Sequence, residues 1–305
     1  MMFAKPYSAS DEMRYFQTAR QFPDVFAPRD ADSHKGSHGT LAVIGGAAGM
    51  SGAVILAATA AMYLGCGKTW AGFCQTQLPF AVIPERPEIM LATAAQLLQR
   101  NDISAYAAGC GLGLDDDARA VLHSVLQRAA GKPLLLDADA LTLLAATPEL
   151  RAAAQAHGRL VLTPHPAEAA RLLGIETAAV QADRVSATQS ISRTFRAVTV
   201  LKGRNTLVAD PDGTRYTNIS GNPGLATAGS GDVLSGIIGS LMAQGIPPAQ
   251  AACAGVWLHG AAADLLRDNG IGETGMLAGE LAPAARWLRN RMIGLMLRAD
   301  LGGQN

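Results

Sequence analysis

The sequence predicts an α/β fold in which helices cover both faces of a mostly parallel sheet. Short apolar segments of strand length alternate with segments of helical periodicity, and this alternation is typical of parallel sheets. After about residue 198, closely spaced strands separated by turn residues predict a late β-meander. With 305 residues, of which 49% are hydrophobic, the chain is long enough to bury one large core.

The first half of the chain begins with a segment that we do not assign to the sheet. Up to about residue 38 it is polar and contains Pro6, Pro23 and Pro28, so we interpret it as an irregular arm or linker. Apolar runs then predict strands, which are Leu41–Ile44, Lys68–Phe73, Ala105–Ala108, Leu134–Leu136 and Leu160–Leu162. A helix is predicted from about Ser51 to Leu64, where Gly65 ends it, and another begins among three acidic residues, Asp115, Asp116 and Asp117.

The second half adds the meander and the helices around it. A helix is predicted over Glu168–Leu173, and strands Val198–Lys202 and Thr206–Asp210 flank the turn Gly203-Arg204-Asn205. Asp212-Gly213 predicts a further hairpin turn before Tyr216. From Val233 the apolar residues fall at helical spacing until Gly245, and the stretch Arg286–Arg298 is typical of a surface helix or a subunit contact.

Five distinctive loops follow predicted strands. Ligands bind beyond the carboxyl ends of the strands in such sheets, so we expect these loops to converge on one edge. The loops are Gly45–Gly49, Gly109–Gly113, Asp137–Asp139, Thr163–Pro166 and Lys202–Asn205.

The segment Asn222–Gly236 is the most informative in the chain. Its residues Gly229, Ser230 and Gly231 form the start of a helix, where unpaired N–H groups and the positive helix dipole favour an anion such as phosphate. Asp232 follows directly, and a carboxylate beside an anion site suggests a base that takes a proton from a hydroxyl meeting the phosphate. The alternative is that Asp232 merely caps the helix.

Two common nucleotide motifs are excluded. The loop Gly45–Gly49 lacks the GxGxxG spacing, and the next predicted strand ends without an acidic residue for a ribose. No GxxxxGK[ST] occurs, and although Gly67-Lys68-Thr69 copies the last three residues of that motif, it opens a strand rather than a helix. The phosphate site is therefore predicted at Gly229–Asp232.

Other polar residues have two interpretations each. His165, held stiffly between two prolines, either lines the ligand pocket or bonds locally, and Lys202 either contacts phosphate or is a surface lysine. Asp137 and Asp139 are separated by one residue, and on an extended chain they are expected to point to opposite faces, which makes them a poor acid/base pair. One of them is expected instead to fix a loop or to contact a metal through water. His259 lies in an apolar helix, where core packing is the default.

Composition narrows the functional class. Lys+Arg and Asp+Glu are both 25, so the formal net charge is zero. The sequence has no basic stripe, and nucleic acid or a membrane is therefore not expected as a partner. The four cysteines have no metal-binding spacing, and buried reduced thiols are the simpler interpretation. The first twenty residues are charged and unlike a signal peptide, so a cytoplasmic location is expected. The alanine-rich surface suggests a homo-oligomer.

Several motifs together resemble one family. They are His34–Gly39, the Gly45–Ala53 loop, Leu162–Glu168, Leu201–Gly203 and Asn222–Gly236. In this order they are similar to the ADP-dependent NAD(P)H-hydrate dehydratases of the ribokinase-like superfamily. The resemblance implies a three-layer ribokinase-like fold and a repair reaction in which ADP drives loss of water from hydrated NADH or NADPH (the S epimer), giving AMP and phosphate. It also implies Mg²⁺, with ligands that the sequence does not reveal, and a separate epimerase, because no fused epimerase domain is expected.

The resemblance also implies roles for particular residues. Asp232 would act on the hydroxyl of the substrate, and the hydrated dinucleotide would contact Ala53, Gly113 and His165 as well. The adenine nucleotide would be held by Lys202, Gly203, Arg204, Asn205, Thr206 and Gly231, beside Gly229 and Ser230 of the helix start. Two residues differ from the family pattern, Cys110 at a usual proline and Ala228 at a common glycine, which puts nucleotide affinity in question.

The domain division and the alternatives complete the predictions. We expect an arm or linker over residues 1–30, one ribokinase-like domain over 31–298 and a tail over 299–305. A small-molecule kinase of the same superfamily would stop at a phosphorylated product, and a nucleotide-sensing module would not need Asp232 at all.

Overall fold

The computed structural model describes residues 8–213 and 215–302, and within them nine strands form a single sheet. The order is β3-β2-β1-β4-β5-β6-β7-β8-β9, with parallel pairing from β3 to β7 and antiparallel pairing of β7 with β8 and of β8 with β9. The strands are β1 Thr40–Gly45, β2 Lys68–Phe73, β3 Met90–Thr93, β4 Ala105–Ala108, β5 Leu134–Leu136, β6 Leu160–Leu162, β7 Val198–Leu201, β8 Thr206–Ala209 and β9 Arg215–Asn218. The predicted fold class, a mostly parallel sheet with a late meander, is confirmed.

Helices cover both faces of this sheet. They are α1 Ala9–Ala19, α2 Ser51–Tyr63, α3 Ala94–Leu97, α4 Asp116–Arg128, α5 Asp139–Ala146, α6 Pro148–Gln155, α7 Pro166–Leu173, α8 Thr177–Ala182, α9 Arg184–Phe195, α10 Ser230–Ala243, α11 Pro248–Asp268 and α12 Ala278–Gly302, with short 3₁₀ helices at Pro23–Phe26 and Pro223–Leu225. One buried apolar cluster unites α2, α10, α11 and α12 on one face, and a second unites α4, α5, α7 and α9 on the other.

Strand β1 is an interior strand of the sheet, and helices α2 and α10 pack closely together on one side of it. All six residues of β1 are buried, as expected for a parallel strand covered on both faces. Helix α10 lies directly on α2, because Gly236 has no side chain: a Cβ there would lie 2.1 Å from the carbonyl oxygen of Ala57. This close contact fixes the start of α10 above the carboxyl ends of the strands.

The N-terminal segment is not irregular, and that prediction is wrong for the described part. Helix α1 begins with a capping box between Ser8 and Asp11, and Tyr15 and Phe22 are buried against the core. Pro6 lies outside the described residues. At the other end, α12 continues to Gly302, beyond the predicted start of the tail at residue 299. The division into arm, domain and tail stays a prediction.

Several elements were not predicted, namely β3, α3, α5, α6, α8 and α9. The extended conformation expected over Asp137–Asp139 is also wrong, because Asp139 opens α5 directly after Ala138, which has a φ of 50°. Among the described residues, no helix has both the length and the apolarity needed to span a bilayer.

Candidate active site

The loops at the carboxyl ends of the strands contact one another, as the sequence predicts. The amide of Gly46 donates to the carbonyl of Cys110 at 3.0 Å, which joins the two glycine loops. The Asp139 carboxylate accepts from the amide of Gly113 at 2.9 Å, so Asp139 fixes a loop. The amide of Lys202 donates to the carbonyl of Pro164 at 2.9 Å, which joins the loops after β6 and β7.

Helix α10 begins at this edge and distinguishes the two interpretations of Asp232. Gly229 is the N-cap, with a φ of 88°, and Ser230 and Gly231 are the first two helical residues. Asp232 occupies the third helical position, and no side chain caps this helix. The interpretation of Asp232 as an N-cap is therefore wrong.

Asp232 is half-buried among residues from three loops. Burial raises the pKa of Asp232 above its ordinary value, and the Asp137 and Asp139 carboxylates act in the same direction. The Cys110 thiol, as a hydrogen-bond partner, and the Lys202 ammonium lower it. A carboxylate of raised pKa is a stronger base than an exposed aspartate, and it lies where the glycine loops meet the strand ends.

Lys202 is part of a buried ion-pair network. Its Nζ lies 2.6 Å from Asp137 Oδ1 and 3.9 Å from Glu168 Oε2, and Ser235 on α10 donates to Asp137 Oδ2 at 2.9 Å. Burial opposes the charge of Lys202, but the Asp137 and Glu168 carboxylates outweigh it and raise the pKa of the ammonium. Lys202 is therefore a fixed cation at the edge of the sheet, which rules out the interpretation as an ordinary surface lysine.

His165 has both of its predicted properties. It is the N-cap of α7, where Nδ1 accepts from the amide of Ala167 at 3.1 Å and the Glu168 carboxylate accepts from the amide of His165 at 2.7 Å. Burial lowers the pKa of His165, and nearby Lys202 lowers it further. With Nδ1 accepting, the neutral ring carries its proton on Nε2, which lies 3.3 Å from Glu168 Oε1. About half of the side chain remains exposed to the adjacent cavity.

A cavity of about 870 Å³ lies beside this network. Its lining brings together most of the residues predicted to hold the nucleotide. These are Lys202, Gly203, Arg204, Asn205, Thr206, Ser230 and Gly231, and His165 lines it with them. The cavity continues between the loop after β9 and helix α11.

The remaining predicted residues are not among those that line the cavity: Gly229, Ala53, Gly113 and Asp232. Ala53 is near Gly111, since a Cβ on Gly111 would lie 3.4 Å from the Ala53 methyl, and a Cβ on Gly113 would lie 3.6 Å from Ala47. Gly113 therefore belongs to the paired glycine loops, and Ala53 lies beside them in the first turn of α2. Asp232, which contacts Cys110, lies between those loops and the Lys202 network. Predicted substrate residues and predicted nucleotide residues thus form two neighbouring groups on either side of Asp232, with His165 in the nucleotide group.

Sequence reasoning missed part of the cavity wall. Asn218 at the end of β9, and Ser220 and Asn222 in the following loop, line the cavity, and none of them was predicted as a binding residue. His259 is buried as predicted, but its Nε2 also lies 2.9 Å from the carbonyl oxygen of Ser230, which holds the first turn of α10. Burial lowers the pKa of His259 to about 4, so the ring is neutral and donates this bond.

Comparison with known proteins identifies the family. The family model described as NAD(P)H-hydrate dehydratase matches residues 41–285. The chain belongs to the NAD(P)H-hydrate dehydratase family. It is 60% identical over 285 residues to the ADP-dependent (S)-NAD(P)H-hydrate dehydratase of Neisseria meningitidis serogroup B, covering 93% of this chain and 96% of that protein.

Two further NAD(P)H-hydrate dehydratase relatives differ in length. The bifunctional NAD(P)H-hydrate repair enzyme Nnr of Escherichia coli is 40% identical over 87% of this chain, which spans 50% of the length of that enzyme. The crystal structure of the ADP/ATP-dependent NAD(P)H-hydrate dehydratase of Bacillus subtilis, co-crystallised with ATP/Mg²⁺, is 31% identical, with a TM-score of 0.77 over 88% of this chain and 96% of that one. The fold is therefore the ribokinase-like one that the motifs imply.

Proposed function

We propose that this protein is an ADP-dependent dehydratase that restores NADH and NADPH from their hydrated forms, acting on the S epimer. The position of Asp232 carries this proposal, because it lies between the paired glycine loops and the cavity that Lys202 lines. The name of the Neisseria relative, at 60% identity, supports both the substrate and ADP as the nucleotide.

ADP occupies the cavity in this proposal. Its phosphates meet the amide groups of Gly229–Gly231 and the Lys202 ammonium, while Gly203–Thr206 and the loop after β9 enclose the rest of the nucleotide. Preorganised amide donors of this kind stabilise developing oxyanion charge by about 3 kcal/mol each. The hydrated dinucleotide lies on the other side of Asp232, against Ala53 and Gly113, and His165 closes the boundary between the two ligands.

The chemistry follows from the poor leaving ability of hydroxide. Asp232 takes the proton of the C6 hydroxyl while the hydroxyl oxygen attacks the terminal phosphorus of ADP. The bond between this phosphorus and the bridging oxygen breaks, and AMP leaves. The C–O bond then breaks, the lone pair of the ring nitrogen pushes out phosphate, and loss of a ring proton restores the double bond. The raised pKa of Asp232 suits the first of these steps.

Mg²⁺ is the proposed metal. Among the described residues, no group of three or more His, Cys, Asp or Glu side chains forms a metal cage. Mg²⁺ nevertheless needs only one or two carboxylates when it binds substrate phosphates and keeps several waters. Asp137 and Glu168 lie beside Lys202, but their oxygens already accept from Lys202, Ser235 and the His165 amide. We therefore propose that the phosphates and water supply most of the ligands of the ion. When bound, it would neutralise charge on the phosphates.

Location and partners are part of the proposal. The four cysteines are free thiols in the structure, which suits the reducing cytoplasm. Hydration at C6 gives two epimers, and an enzyme specific for the S form needs a separate epimerase to recover the other. We also propose a homo-oligomer with a single catalytic domain over residues 31–298.

One incubation tests the proposed function. The protein is mixed with ADP, Mg²⁺ and hydrated NADH, and the recovered absorbance of NADH is followed together with AMP and free phosphate. The three should rise in equal amounts. Accumulation of a phosphorylated acceptor without NADH would indicate the kinase alternative, and nucleotide binding without any turnover would indicate a sensing module.

A further inference from the structure

Helix α11 forms one wall of the nucleotide cavity and carries a buried carboxylate, Asp264, which is 8% exposed. Asp264 Oδ2 accepts from the amide of Gly221 at 2.8 Å, and Oδ1 accepts from Asn222 Nδ2 at 3.1 Å. Arg267, one turn further along the helix, lies 3.3 Å from Oδ1. Gly221, Asn222 and Arg267, which make these three contacts with the carboxylate, all line the cavity.

The wall that Asp264 contacts is the loop between β9 and the 3₁₀ helix Pro223–Leu225. Asn222 Oδ1 accepts from the amide of Gly224 at 3.0 Å, so its side chain connects α11 to the next turn of the loop. Further back, Asn218 Nδ2 donates to the carbonyl of Val256 at 3.0 Å, and Ser220 Oγ donates to that of Trp257 at 3.2 Å. The end of β9 and the loop after it are thus attached to successive turns of α11.

Gly260 sets how closely the loop approaches the helix. A Cβ at this position would lie 2.4 Å from Ser220 Oγ and 2.6 Å from the Ser220 carbonyl oxygen. The loop therefore rests on bare helix backbone between the bonds to Trp257 and those to Asp264. The position of α11 therefore determines where this wall of the cavity lies.

Burying a carboxylate destabilises the fold unless hydrogen bonds to its oxygens compensate for the lost hydration. An aspartate at this buried position therefore depends on its bonds to the loop. A charged acceptor makes stronger hydrogen bonds than a neutral one and holds two donors of the loop in one geometry. We propose that Asp264 is a positioning residue that fixes the wall of the nucleotide cavity, so that its loss weakens ADP binding without slowing the chemical step. This inference rests on the proposed function for the identity of the nucleotide.

The variant Asp264→Asn tests the inference. The amide nitrogen of the introduced side chain is a donor and would lie opposite one of the three donors, Gly221 N–H, Asn222 Nδ2 or Arg267. A hydrogen bond would thus be replaced by a repulsive contact between two donors. We expect the Kd for ADP, measured by calorimetry, and the KM for ADP both to rise about tenfold, the loss of one charge-assisted hydrogen bond. The kcat at saturating ADP should stay within about twofold of the original value, since Asp264 touches no reacting atom.

Asp268→Asn is the matched control. Asp268 lies on the same helix and contacts the same arginine, with Arg267 Nε 2.7 Å from its Oδ1. Gly221 and Asn222, however, donate to Asp264. The control substitution should leave the Kd for ADP unchanged. A general effect of charge near Arg267 would instead appear equally in both variants and would overturn the inference.

Asn222→Ala removes the loop side of the same contact and keeps the test valid if Asp264→Asn does not fold. It should raise the Kd for ADP in the same direction, and the double variant should lose less than the sum of the two single changes. Unchanged affinity in Asn222→Ala and in folded Asp264→Asn would contradict the inference. A parent protein that binds ADP but restores no NADH would instead contradict the proposed function, so the two failures are distinguishable.

Discussion

Asp232 combines three properties at the scale of a single residue. It is the third residue of α10, its pKa is raised by burial, and its neighbours come from the second glycine loop and the end of β5. Because the carboxylate does not cap the helix, the amides of the first turn remain available to an anion. The proposed base and the proposed phosphate site therefore come from the same turn of helix.

Lys202 serves the fold as well as the site, which leads to a prediction about stability. Lys202→Met leaves the buried Asp137 without its cation, so the free energy of unfolding should fall by about 3 kcal/mol. The double variant Lys202→Met/Asp137→Asn should recover part of that loss, because no unpaired charge stays buried. Urea unfolding measures both. Equal stability of Lys202→Met and the parent would show that the pair is not a buried ion pair in solution.

Glu168 predicts a dependence of stability on pH. Burial raises its pKa from 4.5 to about 7 despite the nearby Lys202. A carboxyl group with a raised folded pKa contributes stability that is fully present below pH 4.5 and is lost as the pH rises to about 7. Relative to Glu168→Gln, the free energy of unfolding of the parent should therefore fall by about 3 kcal/mol over this interval.

Urea unfolding of the parent and of Glu168→Gln across that pH interval checks this expectation. Comparing the two proteins cancels the titration of all other groups that the substitution leaves unchanged. A difference that stays constant with pH, or one that grows in favour of the parent at higher pH, would contradict the raised pKa.

Single residues were predictable where local sequence carries the reason. Gly229, Ser230 and Gly231 were recognised because small residues open an apolar helix, and Lys202 because it ends a strand. Asp264 could not be recognised, since an aspartate in an alanine-rich helix has no distinctive pattern and its partners are 42 and 43 residues away in the chain. The same holds for the bond between His259 and Ser230.

At the scale of elements, α1 changes the interpretation of the N-terminal segment. Its Glu12 pairs with Arg291 of α12, and the ring of Tyr15 meets that of Trp257 on α11 edge to face, with 6.2 Å between centroids. The helix therefore covers the outer layer of the core. The sequence did not predict α1 because the segment is polar and contains prolines. Its few apolar side chains become buried only where they pack against α11 and α12.

Tyr15→Ala tests whether α1 contributes to the stability of the whole fold. Tyr15 is 3% exposed, and removing a buried aromatic side chain typically costs about 3 kcal/mol. We therefore expect a single thermal unfolding transition at a lower temperature. The exposed Met13→Ala serves as control on the same helix, since Met13 is 55% exposed. An unchanged transition in Tyr15→Ala would mean that α1 is a detachable arm.

Elements of the parallel region were predictable because they form buried apolar runs, such as Leu134–Leu136, whose predicted bounds agree with β5. Edge strand β3, Met90–Thr93, was missed because its four residues have neither a long apolar run nor a clear alternation. Helix α5 was missed because Ala138 turns the chain through a positive φ that no glycine announces.

At the scale of the whole molecule, the parallel sheet explains why distant residues form one site. Strands that run in the same direction bring their following loops to one edge, and so the chain order of the loops does not matter. The convergence of these loops could be predicted from the sequence. The cavity between the β9 loop and α11 could not, because it depends on how the last helices pack over the meander.

The division of this edge into two groups of residues supports the order of events in the proposed reaction. The residues predicted to hold the nucleotide line the cavity on the Lys202 side, and the glycine loops lie on the other side of Asp232. In the proposed reaction, a phosphoryl group moves between these two groups of residues, past the start of α10. In this proposal, Asp232 is the residue on which the reaction depends.

The variant Asp232→Asn tests this claim most directly, because it keeps the shape of the side chain and removes its ability to take a proton. Calorimetry should show ADP binding within a few-fold of the parent, while ADP-dependent recovery of NADH from its hydrate, followed by the absorbance of the reduced nicotinamide, should fall by at least about 10²-fold, the lower range for loss of a general base. Recovery at a rate close to that of the parent, with ADP still bound, would contradict the role assigned to Asp232.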